Sequence, residues 1–204
     1  MDEPSGWWSA GALSRKHPTL YLLAEDEPGY LVFKAILRAR QINVNVKLRN
    51  KPNGIAPLAL DLSVLLKSVL REKSARDCIV VLYDADYHTR RIADRRHHDS
   101  IKQTCALFAA ESVICCEARD EIEAWVLADD KMAQWLEYKP QTFDNRPNAK
   151  EHLSDQIARK AGSLRWNKRY QPEILSQYFG GVTSSSPSLR EAVDAVLKLP
   201  CAVG

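Results

Sequence analysis

The chain has 204 residues, 29 Lys+Arg against 26 Asp+Glu and a formal net charge of +3, so any affinity for nucleic acid has to come from how charge is distributed rather than from its sum. No apolar run reaches the roughly 18 to 20 residues of a membrane span, and residues 1–11 have neither an apolar signal core nor a basic start, which points to a cytoplasmic protein. The cysteines (Cys78, Cys105, Cys115, Cys116, Cys201) are odd in number and lack Cys-x2-Cys spacing. They read as small buried hydrophobes of a reducing compartment, with a Cys/His metal site built from Cys115, Cys116, His97 and His98 as the alternative.

Residues 1–18 read as an irregular lead-in whose Trp7 and Trp8 pack on the domain or on a partner. Leu20 to Ala24 is an apolar run ending in Glu25-Asp26-Glu27, and Pro28 then opens an amphipathic helix from Tyr30 to Arg40, Pro being tolerated in the first helical turn. Asp26 and Glu27 suit the positive end of that helix. Ile42 to Leu48 alternates apolar and polar residues, the pattern of an edge strand with one wet face. Lys51-Pro-Asn-Gly54 is a turn able to bring backbone N–H groups toward the acidic exits, and Leu58, Leu62, Leu65, Leu66 and Val69 fall at helical spacing between Ala56 and Arg71.

The most informative stretch is Asp77 to His88. Ile79 to Leu82 are apolar without alternation, as in a strand covered on both faces of a parallel sheet. At its end stand Asp84 and Asp86, which project the same way if the segment stays extended. Two carboxylates converging in this way repel unless a cation lies between them or one is protonated, and hard oxygen ligands suit Mg²⁺ or Mn²⁺. The competing reading is that Asp84 caps the next helix and Asp86 is solvated in a turn. Arg90, Arg91, Arg95, Arg96, His97 and His98 follow directly, placed either to grip phosphate or to form a solvated helix end.

A helix through Ala110 leads to a short strand, Ser112 to Cys116, whose exit is again acidic: Glu117, Asp120, Glu121, Glu123. In the helix that follows, Ile122, Trp125 and Val126 form a core-facing stripe, with Glu121 at its edge and Glu123 on another face. From Asn148 to Leu199 the chain reads as two or three helices covering a face or edge of the sheet, the last capped by Ser188 with Glu191 in a capping box. Lys150, Arg159, Lys160, Arg165, Lys168 and Arg169, interleaved with Trp166 and Tyr170, form a candidate nucleic-acid surface or a solvated face. The β-α-β-α-β order argues for a doubly wound, mostly parallel sheet flanked by helices. The division expected is a lead-in at 1–18, an α/β domain at 19–135, and a helical extension at 136–204 packed on the same domain.

Glu25, the Asp84-Ala-Asp86 motif, and Glu121 with Glu123 are three acidic strand exits. Together with Tyr21-Leu-Leu-Ala-Glu25, Leu82-Tyr-Asp-Ala-Asp86 and Glu121-Ile-Glu-Ala-Trp-Val-Leu-Ala-Asp129, they make residues 19–199 resemble the TOPRIM domain of primases, topoisomerases and overcoming-lysogenization-defect nucleases. The resemblance is closer to a small stand-alone TOPRIM-like family of unknown function often found beside bacterial defence and ATPase genes. It implies a Rossmann-like TOPRIM fold and a metal-dependent nuclease acting on DNA or RNA in phage defence, with an ATPase as partner protein. It further implies Glu25 as general acid/base, Asp84 and Asp86 as Mg²⁺ or Mn²⁺ ligands, and Glu25 and Glu121 close to the metal. Glu121 or Glu123 would support a second metal position. TOPRIM sequences place Gly directly after the glutamate, whereas Asp26-Glu27-Pro28 intervenes here before Gly29. Two other classes share parts of the pattern: a non-catalytic nucleic-acid or protein-binding subunit on the same scaffold, and a haloacid-dehalogenase-like phosphatase with Asp84 as nucleophile.

Overall fold

The computed structural model describes residues 17–51, 53–85, 92–139, 148–162, 164–167, 169–180 and 186–202, with the backbone alone at 92–94. The elements are β1 (Thr19–Ala24), α1 (Glu27–Ala39), β2 (Asn45–Leu48), α2 (Ile55–Glu72), β3 (Cys78–Asp84), α3 (Ile92–Leu107), a 3-10 turn (Ala109–Glu111), β4 (Val113–Ala118), α4 (Ile122–Leu127), α5 (Asp130–Leu136), α6 (Ala149–Ala161), α7 (Gln171–Tyr178) and α8 (Pro187–Leu197). Among the described residues the strands form one sheet in the order β2-β1-β3-β4, and every pairing is parallel. The protein is therefore an α/β fold with a Rossmann-like parallel sheet flanked by helices. None of the described helices is long and apolar enough to cross a membrane.

Strand order explains how the helices divide between the faces. The crossover from β1 to β2 runs in one direction along the sheet, and those from β2 to β3 and from β3 to β4 run in the other, so connections of one hand put α1 on one face and α2 with α3 on the opposite face. Alternate strand residues follow this division. Leu20, Leu22, Val80, Leu82 and Cys116 pack with Val32, Phe33 and Ile36 of α1, while Tyr21, Leu23, Ile79, Val81 and Tyr83 pack with Leu58, Leu62 and Leu66 of α2 and Ile101 of α3. A single crossover helix cannot cover one whole face of the sheet. The helices after β4 fill the gap, and Trp125, Met132, Leu153, Ile157, Ile174, Leu189 and Val193 join α1 in one continuous core.

Several local expectations are corrected by packing. The edge strand is confined to Asn45–Leu48, because Gln41 has φ 56° and Ile42 N bonds back to Leu37 O at 3.0 Å, which makes Ile42 part of the turn that ends α1. The fourth strand runs on to Ala118, so Glu117 lies within it and not at its exit. The N-cap of α8 is Ser186, whose side chain accepts from Leu189 N at 3.2 Å. Ser188, expected as that cap, instead accepts the Trp125 indole N–H at 2.7 Å. Trp166 is no stacking platform for bases: it is buried in the core. Lys160 is paired with Glu137, and Arg165 donates to the carbonyls of Gly162 and Leu164.

Candidate active site

The exit of β1 is held from both sides. Glu25 N still donates to Leu82 O of β3 at 3.0 Å, so the chain stays extended one residue past the strand, and the carboxylate Oε2 accepts from Asp84 N at 2.9 Å. On the β2 side the Asn50 amide pairs twice with the Ala24 backbone, accepting from Ala24 N at 3.0 Å and donating to Ala24 O at 2.7 Å. Gly54 N donates to Glu25 O at 3.0 Å. Gly54 has φ +93°, a conformation that glycine adopts at little cost. Asn50 thus replaces ladder bonds that β2 has stopped supplying. Asn50→Ala should leave both backbone groups of the buried Ala24 unpaired and lower stability by about 2 kcal/mol. Chemical denaturation checks this, and a loss below about 0.5 kcal/mol, within the range of ordinary surface changes, would contradict it.

Asp84 is the last residue of β3. Its Oδ1 accepts from Ile122 N at 2.9 Å, so it does cap a helix, but that helix is α4, reached across β4, and not the one that follows it in the chain. Its carbonyl is bonded by His98 Nε2 at 3.0 Å, and the buried His98 ring stacks on Tyr83 with centroids 5.4 Å apart. The connections that leave β1 and β3 go to opposite faces, which makes the gap between these two exits the switch point of the sheet. Ligands of open α/β sheets bind in such crevices, and Glu25 and Asp84 stand at its rim.

The remaining acids surround this pair with different duties. Asp26 caps α1, accepting from Gly29 N at 2.7 Å, and a Cβ on Gly29 would lie 2.9 Å from the capping oxygen. Glu121 Oε2 accepts from Lys150 N at 2.8 Å, supplying the start of α6 with an acceptor that its N-cap Asn148 does not provide. Glu123, expected on a face away from the core, is only 2 % exposed, and its Oε1 accepts the Trp166 indole N–H at 2.7 Å. Burial, with a smaller contribution from the charges of Asp26 and Glu121 and against the opposing Trp166 bond, pushes the Glu123 carboxyl up to about 7. Glu117 accepts the Tyr83 hydroxyl at 2.9 Å and pairs with Lys102, which removes it from the exit cluster.

Asp86, Arg90 and Arg91 lie outside the described residues. Arg95 and Arg96 are exposed on α3, within one turn of His98, whose bond to Asp84 ties this part of the helix to the β3 exit. Among the described residues no group of three or more His, Cys, Asp or Glu side chains is arranged to hold a metal. The alternative Cys/His site is not formed: Cys115 and Cys116 are neighbours in a strand and point to opposite faces, one packing with the α2 and α3 core and the other with the α1 core.

Neither the Asn50 clamp nor the partnership of Trp166 with Glu123 was foreseen. Each joins residues far apart in the chain, and no local period announces either one. The sequence offers His98 as a phosphate ligand, as part of a Cys/His metal site or as part of a solvated helix end, whereas in the structure it bonds the last carbonyl of the preceding strand. Comparisons of the chain with protein-family models, with curated proteins and with solved structures find no match.

Proposed function

We propose that the chain is a metal-dependent nuclease of TOPRIM type that hydrolyses phosphodiester bonds. In this reading Asp84 and Asp86 hold Mg²⁺ or Mn²⁺ and Glu25 is the general acid and base, in a bacterial defence setting with an ATPase partner. The observation that carries the reading is the bond from Asp84 N to Glu25 Oε2 at 2.9 Å, which sets the Glu25 carboxylate against the Asp84 backbone at the switch point. The donor set fits a hard cation, since Mg²⁺ is commonly held by one or two carboxylates and retains several waters. When bound, such an ion polarises a phosphoryl oxygen and lowers the pKa of bound water. Glu25 takes and returns the proton at its carboxylate, the bonds from His98 and Ile122 fix Asp84 in orientation, and Arg95 and Arg96 engage the phosphates beside it.

One observation favours a second reading, that of a non-catalytic binding subunit. Glu25 Oε2 and Asp84 Oδ1 each accept a backbone N–H, so both acids also hold the fold. The two readings differ in measurable ways. Labelled DNA and RNA incubated with the chain in Mn²⁺, alone and with any co-purifying ATPase, should be cut if the chain is a nuclease. Replacing Arg95 and Arg96 together with Ala should weaken nucleic-acid binding and flatten its salt dependence by about one unit of slope per lost contact. No cutting in any combination, with unchanged binding by the arginine variant, would leave the binding subunit of a different surface as the reading. Mn²⁺ should also raise the melting temperature, since an ion that binds only the folded state adds about 2.7 kcal/mol at a hundredfold excess over its Kd. Asp84→Asn should remove that gain, and an equal gain in the variant would place the ion elsewhere.

A further inference from the structure

Among the described residues β2 pairs with β1 alone, which makes it an edge strand. Asn45 N donates to Pro18 O and Arg49 N to Leu22 O, both at 2.9 Å. The main chain of a parallel strand addresses one neighbour at every second residue, so the N–H and C=O groups of Val46 and Leu48 point to the open side. A cavity of about 560 Å³ lies against this strand on the face covered by α1. Lys34, Leu37 and Arg38 of the helix, Ile42 of the turn, and Val44 and Val46 are among its walls. Lys34 and Arg38 are exposed one helical turn apart, and among the described residues neither has an ion pair. On the opposite face of the strand Lys47 and Arg49 share the single carboxylate of Glu72, which leaves one positive charge in excess. The open edge is thus flanked by cations on both faces.

We propose that the outer edge of β2 binds an extended, acidic segment of a partner protein, which pairs with Val46 and Leu48 as one further strand of the sheet. In this mode main-chain hydrogen bonds supply affinity and alternate side chains supply specificity. The side chains that the segment turns toward α1 enter the cavity, where apolar ones meet Leu37, Ile42 and Val44 and carboxylates meet Lys34 and Arg38. A second copy of β2 fits this edge poorly. The side chains it would turn toward α1 are Val44, Val46 and Leu48, which pack on that face in this copy and cannot neutralise Lys34 or Arg38. Its Lys47 and Arg49 would add cations to the other face, which already holds an excess. Lysine on an edge strand works against self-pairing, and here the same charge favours an acidic strand. The surface involves neither Glu25 nor Asp84 nor the arginines of α3, so it stands or falls apart from the nuclease reading.

The test pans the immobilised full-length chain against a displayed library of random short peptides and measures the enriched peptides by fluorescence polarisation. The expected winners combine Asp or Glu with Val, Ile, Leu or Phe. Lys34→Glu with Arg38→Glu, at two exposed positions, should weaken them at least about tenfold. Val46→Pro removes an N–H that faces away from β1, a change edge strands tolerate, and should weaken them to a similar extent. Val46→Thr keeps that N–H and should bind like the parent. The proposal fails if no peptide is enriched, or if the enriched peptides bind the charge-reversed variant as well as the parent. It fails equally if Val46→Pro leaves their affinity unchanged while a short oligonucleotide displaces them, since the cations then serve a nucleic acid. A dimer of the full chain that Val46→Pro dissolves would give the edge to a second copy and also overturn it.

Discussion

With the proposed nuclease activity, Glu25→Gln is expected to lower phosphodiester turnover by about 10²- to 10⁴-fold, the usual contribution of a positioned acid or base, while nucleic-acid binding stays close to that of the parent. The geometry makes this substitution unusually clean. The carboxylate oxygen that accepts from Asp84 N can be replaced by the amide oxygen of Gln, so the bond between the two strand exits survives and only the capacity to carry a proton is lost. The backbone bonds from Glu25 N to Leu82 O and from Gly54 N to Glu25 O do not involve the side chain at all. Single-turnover cleavage in Mn²⁺, measured beside binding, separates the two quantities. Equal loss of binding and turnover would show that Glu25 supports the structure of the site and carries no proton. Turnover at the parent rate would exclude Glu25 from the chemistry.

Glu123 should make the fold lose stability as pH rises through neutrality. Its carboxyl is raised from an ordinary 4.5 to about 7, so between these values the folded chain holds a proton that the unfolded chain has released, and unfolding gains in favour as pH increases. The stabilising effect is complete below pH 4.5 and is lost on passing pH 7, above which the curve levels. At about 1.4 kcal/mol per pH unit the interval makes about 3 kcal/mol. Glu123→Gln keeps the acceptor for Trp166 Nε1 without the titrating proton, so its stability should be flat in this window and should exceed that of the parent at pH 8. Urea denaturation of both proteins between pH 5 and pH 8 measures the difference, and parallel curves would show that another group governs the pH dependence.

Glu25 follows β1 and Glu123 follows β4, three strand exits later, and together they illustrate the limits of reading the chain. The apolar runs ending at Ala24 and Asp84 specified buried strands, because a chain that must hide both faces has no polar residue to alternate. The helical spacing of Leu58, Leu62 and Leu66 specified α2 for an equally local reason, and carboxylates that follow such runs necessarily sit at the carboxyl edge of the sheet. Which exits become neighbours was not local. It follows from the order β2-β1-β3-β4, set by which crossover lies on which face, and that order puts β1 beside β3 and so Glu25 against Asp84.

The same holds for what each acid does. Asp84 was legible as a helix cap or a metal ligand, but the helix it caps begins at Ile122, beyond the whole of α3 and β4. Glu123 and Trp166 looked like surface residues by helical period and by basic context. The layer formed by α1 and the later helices buries both, because one crossover helix leaves half of a sheet face open and the C-terminal segment must close it. Composition and period thus determined the strands and the helices as far as α4 to within a few residues, and the acidic character of the exits; α5 was in no expectation, and the helices after Asn148 were expected without bounds. Tertiary structure alone decided the pairing of Glu25 with Asp84 and the burial of Glu123 against Trp166, since each rests on a hydrogen bond between segments whose separation in sequence carries no periodic signal.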